Sequence, residues 1–482
     1  MNKAHNPKKV ARSGAVYTSA LIFQKILSFT YFTIVARALG PEQLGTYVFV
    51  LSFAAFFSLV VDFGFVPMAI RNFSQDAENQ KKNFRTFFTI RMGLAVVALI
   101  VLHSTAFILG YDAKLWTLLG ITSVIMIMDA FTAYFYTIFR SKQNLFYESL
   151  GTALFQIIVF STGLFVISKT QDLRALLLVI FTGSLFHLIF SNALLRRKTD
   201  ISFKPYIDWQ LIKHWMKIAF PFFLAAGFIK AYNTIDSILI KNIIGDEAVG
   251  LYAIAAKVVF TFPFIALAIT AAVYPAMSNY AVASKERLQS IFSRTFQLLL
   301  TISLPIAVGI FLLADQIIVK VWPDFTRSIA ALQLLIWAVV FLYIEFPFGS
   351  LLNATGNERG VTINRGIQLV TFIALNLILI PIYGFMGAVY SALFSSVLIV
   401  ILGYIRARKI IKVFNRDVVL GIIKLIIAAG VMGTAVYYMK MEFSFMIVIP
   451  IAVVIYGMLL LLLRAYTAED WRWTKSVILK TK

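Results

Sequence analysis

Residues 21–50 read LIFQKILSFTYFTIVARALGPEQLGTYVFV, and residues 226–255 read AGFIKAYNTIDSILIKNIIGDEAVGLYAIA. At a constant offset of 205 positions six residues coincide: Phe23 with Phe228, Lys25 with Lys230, Gly40 with Gly245, Glu42 with Glu247, Gly45 with Gly250 and Tyr47 with Tyr252. The glycines and the acid read as a helix end, a turn and a new helix start. The lysines lie inside apolar runs. A charge near the bilayer centre is costly there unless it faces protein or water. A lysine at the same depth in each half predicts two similar lobes with a polar cavity between them.

The surrounding chain explains why a bilayer is the right solvent. It has 482 residues, 60% of them hydrophobic and only 14% charged, with a mean hydropathy of +0.85. A soluble domain cannot bury that much apolar surface, so the composition predicts an all-α polytopic membrane protein. The net charge of +22 does not indicate nucleic acid, because the cations fall in short segments between apolar runs, where topology signals sit. The N-terminus is basic (Lys3, Lys8, Lys9, Arg12). The apolar run that follows is too long for a signal peptide and no small-residue cleavage site follows it, so it reads as a retained helix.

At about 20 residues per crossing, the hydropathy predicts about fourteen transmembrane helices: 13–37, 43–67, 84–109, 114–139, 147–168, 173–195, 214–240, 247–277, 288–313, 328–352, 359–381, 384–405, 417–439 and 443–464. With the N-terminus inside, the inner segments carry 31 Lys and Arg and the outer ones 8, with five (Lys25, Arg91, Lys230, Lys257, Lys424) inside spans. The positive-inside rule therefore places both termini in the cytoplasm. Six crossings separate spans 1 and 7, so both run in the same direction and the halves are parallel repeats about an axis along the membrane normal. The expected organisation is an N-lobe at 1–195, a cytoplasmic linker at 196–213 and a C-lobe at 214–405. Residues 406–482 add two helices and a cytoplasmic tail.

Polar residues inside the spans are the candidate site. Thr18, Lys25 and Ser28 share one helical face in span 1, and Lys230, Asn233 and Ser237 share one in span 7. Lys257 is also deep. A lysine reaches about 6 Å while snorkelling, against about 15 Å from midplane to edge, so Lys25, Lys230 and Lys257 are expected to line the cavity. Arg91, a third of the way into span 3, either snorkels or lines an inward mouth. For Lys424, near the start of span 13, snorkelling is expected. The acids Asp62, Asp129, Asp236 and Glu345 carry two readings: they pair with buried cations, or they take a proton or Na⁺ and couple transport. Asp129 shares a face with Thr132 and Tyr136. Pro221, Pro263, Pro275, Pro305 and Pro347 invite kinks, as hinges or as packing features.

Catalytic signals are absent. There is no cysteine, hence no disulfide and no thiolate metal site. The histidines His5, His103, His187 and His214 show no metal-ligand spacing. No Walker pattern occurs, and no connection has room for a catalytic domain. No enzyme activity, cofactor or metal is expected.

Four stretches carry a resemblance: ARALGPEQLGTYVFVLSFAAFFSLVVDFGF (36–65), AFPFFLAAGFIKAYNTIDSILIKNIIGDEAVGLYAIAAKV (219–258), WPDFTRSIAALQLLIWA (322–338) and LLNATGNERGVTINRGIQLVTFIALNLILIPIYGFMGAVYSAL (351–393). Together they resemble the Wzx-like oligosaccharide flippases, the polysaccharide transporters of the MATE-like (MOP) superfamily. The motifs are structural glycines and prolines, specific for the superfamily rather than for a substrate. The resemblance implies two six-helix lobes in a V around a central cavity, with two extra C-terminal helices. It implies movement of an undecaprenyl-diphosphate-linked oligosaccharide from the cytoplasmic to the outer leaflet of the cell membrane by alternating access. Cavity cations would hold the diphosphate: Lys25, Lys230, Lys257 and Arg91. Ser28, Asn233, Asp129, Asp236 and Glu345 are the further polar or coupling candidates. Implied partners are the lipid-linked oligosaccharide, membrane lipid, H⁺ or Na⁺, and a polysaccharide polymerase with other glycan-assembly proteins. A MATE-type cation or drug antiporter is the alternative; it predicts acids dominating the cavity. A non-transporting scaffold in a glycan machine is a further one.

Overall fold

The computed structural model describes residues 7–76 and 78–465, with side chains from residue 22 onward. Thr18 therefore falls outside the described side chains, and the expected tail beyond residue 465 outside the described residues. Every regular element among the described residues is helical: α1 (Pro7–Asp62), α2 (Phe65–Gln75), α3 (Gln80–Ile108), α4 (Ala113–Ser141), α5 (Phe146–Ile167), α6 (Leu173–Lys198), α7 (Trp209–Tyr232), α8 (Ile235–Ile243), α9 (Asp246–Val259), α10 (Pro263–Ala283), α11 (Lys285–Val321), a 3₁₀ turn (Pro323–Ser328), α12 (Ile329–Leu335), α13 (Trp337–Ala354), α14 (Glu358–Tyr383), α15 (Phe385–Ala407), α16 (Arg416–Met439) and α17 (Phe445–Leu462). Thirteen helical stretches among the described residues are long and apolar enough to cross a membrane. The chain is a multi-pass membrane protein.

Thirteen and fourteen differ at one place. The first two expected spans form one continuous stretch, Ile22–Gln75, broken in direction at Gly40, whose φ of 69° and ψ of 178° are not helical. Gly245, its partner in the repeat, caps α9 with φ 129° and ψ −175°. Both sit in the region that only glycine occupies without strain. The sequence repeat is thus a repeat of backbone geometry. Prolines act unequally. Pro263 starts α10 at its first turn, where a missing N–H costs nothing. Pro221, Pro275, Pro305 and Pro347 lie within helices.

Four expected spans are interrupted, among them 43–67 between α1 and α2 and 328–352 between α12 and α13. The span at 214–240 ends as α7 at Tyr232, and the chain restarts in α8 after Asn233 and Thr234. The span at 247–277 breaks between α9 and α10. Broken helices are tolerated at membrane depth only where protein or water satisfies the freed backbone groups.

The helices cluster into two compact units, one ending at Ile238 and the other starting at Leu239. In the first, α4 packs on α6, α5 on α1 and α6, and α7 on α1, α2 and α3. The segment after α6 is strapped to this unit rather than loose. Arg85 Nε donates to the Lys204 carbonyl at 2.8 Å, and the Tyr206 amide to Thr89 Oγ1 at 2.9 Å. The Phe203 ring packs edge-on to Phe84, Phe88 and Phe135. In the second unit α14 packs on α15, and α11 gathers α10, α13, α16 and α17 around it.

Candidate functional site

The polar feature of the first unit begins with a close helix approach. At Gly64, between α1 and α2, a Cβ would stand 2.5 Å from the Phe223 backbone nitrogen and 2.7 Å from the Ala219 carbonyl. Only glycine lets α7 lie so near, and φ there is 74°. That approach brings the last turn of α7 against the second arm of α1.

A cavity of about 430 Å³ opens beside this contact, lined by residues of α1, α2, α3, α4, α6 and α7. Its room comes from small side chains: Ala54, Ala55, Ala130, Ala133 and Ala226 all face it. The volume lies in the range of small-molecule sites, which combine an apolar lining with a few placed polar groups. Here those groups are Ser58, Asp62, Arg91, Thr122, Asp129 and Lys230.

Two of these charges are locked together. Arg91 is fully buried. Its Nη1 donates to Asp62 Oδ1 at 2.9 Å and its Nη2 to the Ala130 carbonyl at 2.8 Å, while the guanidinium sits over the Tyr134 ring at 5.2 Å. A charge in such surroundings must be paired and hydrogen-bonded, so Arg91 does not snorkel. Lys230 differs. Its ammonium donates to the hydroxyl of Ser58, and no carboxylate among the described residues lies within 4.0 Å of it. Asp62 and Asp129 are near enough to act on its charge without contact. Asp129 is exposed to the cavity. The site therefore holds one cation committed to an acid and one free to meet an anion.

The family model described as Polysaccharide biosynthesis protein matches residues 10–281, more than half of the chain. The chain belongs to the polysaccharide biosynthesis protein family. The MatE model matches residues 221–382 of this family member. Among its relatives, a Shigella flexneri protein named as an O-antigen transporter is 26% identical over 160 residues, 32% of this chain and only 37% of that protein's length. A Haloferax volcanii protein named as low-salt glycan biosynthesis flippase Agl15 is 21% identical over 395 residues, 80% of this chain and 81% of the relative. The solved structure of the lipid II flippase MurJ in an inward closed conformation superposes with a TM-score of 0.76 at 16% identity, covering 92% of this chain and 98% of that one. At that identity the likeness shows the fold.

Of the residues singled out in the sequence of this polysaccharide biosynthesis protein, Lys230, Arg91, Asp62 and Asp129 meet in the cavity. Lys25 is exposed and Ser28 half-buried on the first arm of α1, away from the cavity-lining arm. Asn233 is the exposed C-cap of α7. Asp236 is buried in α8 and accepts from the Ser237 amide at 2.7 Å. Lys257 is half-buried in α9 and Glu345 buried in α13, both in the second unit. Glu345 pairs with Arg365 at 2.7 Å. Lys424 donates to the Arg464 carbonyl at 3.1 Å. Ser58 also lines the cavity. Asp62 carried a signal as an acid inside a span; Ser58, one serine in an apolar run, carried none.

Proposed function

We propose that this protein is a flippase that carries a polyprenyl-diphosphate-linked oligosaccharide, a precursor of cell-surface polysaccharide, from the cytoplasmic to the outer leaflet by alternating access. The observation that carries the reading is Lys230: a cavity ammonium held by a neutral hydroxyl while the neighbouring acid Asp62 is taken by Arg91. A diphosphate cannot enter hydrocarbon uncompensated. A lysine without a contacting carboxylate supplies the compensating charge at the least desolvation of its own. Family membership and the names of the relatives support the same cargo class.

Both termini face the cytoplasm in this reading, since 31 of the 44 Lys and Arg lie in the inner segments. Residues 1–195 and 214–405 form the two lobes, joined through 196–213. Lys25 and Lys257 offer further cations along the cargo's route, with Ser28 and Asn233 as polar neighbours. Asp129 and Asp236 are the candidates for H⁺ or Na⁺. Glu345 serves its ion pair with Arg365. A polysaccharide polymerase and other glycan-assembly proteins act downstream of the flipped lipid.

The test is flipping of a fluorescent polyprenyl-diphosphate oligosaccharide in liposomes that contain the purified protein. Lys230→Ala is expected to stop it. Wild-type flipping by that variant overturns the reading. Cation antiport is the second reading, favoured by the MatE match and by the two cavity acids. It requires efflux of an organic cation by the same liposomes.

A further inference from the structure

Between α4, α5 and α6 the first unit buries polar atoms that the cavity does not use. Thr132 Oγ1, Tyr136 Oη and His187 Nε2 are all buried with no hydrogen-bond partner among the described residues, and Ser184 Oγ is buried against the Asp129 carboxylate. Thr132, Tyr136 and Ser184 are 3%, 2% and 0% exposed. One such atom is a local cost; three in one seam are groups that water, which takes two to four polar partners, would satisfy.

Two of these residues belong to a polar row on α4. Asp129, Thr132, Tyr136 and Arg140 follow one another at helical spacing along α4, and roughly 16 Å of rise separates the first from the last. Ser184 stands beside Asp129. The Tyr136 and His187 rings lie 5.5 Å apart, and both polar atoms approach Gly151 of α5, where a Cβ would meet Tyr136 Oη at 2.1 Å and His187 Nε2 at 3.0 Å. Any larger residue at 151 would collide with the Tyr136 hydroxyl. Phe155 stacks on the His187 ring. Beyond Tyr136 lies the pair Arg140–Glu148, joined Nε to Oε2 at 2.7 Å. Its arginine side chain is 27% exposed and its glutamate 8%. The seam thus runs from an acid open to the cavity to an ion pair that reaches the accessible surface.

We infer that this seam holds a chain of water molecules and that His187 relays protons along it between the Arg140–Glu148 end and Asp129. The groups facing the relay are Asp129, Tyr136 and Arg140 from α4 and Glu148 from α5. A proton taken by Nε2 from water on one side is returned to water on the other. The imidazole ends neutral, and the Asp129 carboxylate takes up the proton and passes it to water in the cavity it lines, returning to the ionised form. No oxidant or reductant enters. The inference adds an ion path to the flippase reading without depending on the cargo.

Purified full-length protein in liposomes with an internal pH dye tests it, using a K⁺ diffusion potential to drive H⁺ and no glycan lipid. Wild-type protein is expected to raise proton entry above that of protein-free vesicles, and His187→Phe to lower the protein-dependent rate at least tenfold. Tyr136→Phe is expected to lower it at least threefold, and carries the test if His187→Phe does not fold. Hydroxyl-radical footprinting of the wild type is expected to label Tyr136 despite its burial. Wild-type flux in a folded variant, absence of protein-dependent flux, or an unlabelled Tyr136 would overturn the proposal. Flux is read without cargo, so its failure leaves the flippase reading standing, and loss of the flippase reading leaves the relay intact.

Discussion

The ammonium of Lys230 rests on the hydroxyl of Ser58, a residue 172 positions earlier in the chain. A neutral partner holds the lysine in place without neutralising it. Asp62, one turn along α1 from Ser58, is held by Arg91 instead. The division of labour between two cations and two acids gives the cavity its polarity.

Lys230→Ala should weaken binding of an anionic cargo. A hydrogen bond to a charged group contributes about 2 kcal/mol, which is roughly 30-fold in affinity. Titration of the purified protein with a short polyprenyl diphosphate measures this. Lys25→Ala, at the equivalent repeat position but exposed, should have the smaller effect.

Arg91→Leu should cost about 3–5 kcal/mol of stability, because it strands Asp62 beside an apolar wall. The double variant Arg91→Leu with Asp62→Leu should recover most of that loss. Unfolding of the purified protein in detergent, followed by circular dichroism, gives both values.

Glu345→Gln should lower stability by about 1.5–3 kcal/mol through loss of the charge-assisted bond to Arg365. The dependence of transport on H⁺ or Na⁺ should stay as in wild type. A changed ion dependence would assign Glu345 to coupling after all.

Gly40→Ala and Gly245→Ala should each cost about 1–3 kcal/mol. Nothing lies within 4 Å of a Cβ built at either position, so the whole penalty is backbone conformation and none is collision. Thermal melting should therefore show both losses, and a larger residue such as Val should add little beyond the cost of alanine at either site.

The same repeat shows how far local pattern carries. Gly40 and Gly245 were legible as chain breaks because a glycine before a new helix start needs no tertiary partner to explain it, and both take up the conformation only glycine tolerates. Lys25 and Lys230 were legible as a pair but not as unequal members. Lys230 ends its helix at a break and meets the α1 arm, while Lys25 lies in an unbroken helical arm and is exposed. Glu345 and Arg365 were each visible, but their pairing across α13 and α14 was not.

What the sequence by itself determined is the solvent and the architecture. Long apolar runs have no alternative in a bilayer to closing their backbone bonds as helices. The distribution of Lys and Arg and the offset repeat follow from position in the chain alone. Only the tertiary structure decided which charges face one another. Whether a lysine meets a serine, an acid or lipid depends on how closely helices far apart in sequence approach, and here that approach is set at Gly64, where the absence of a side chain admits α7.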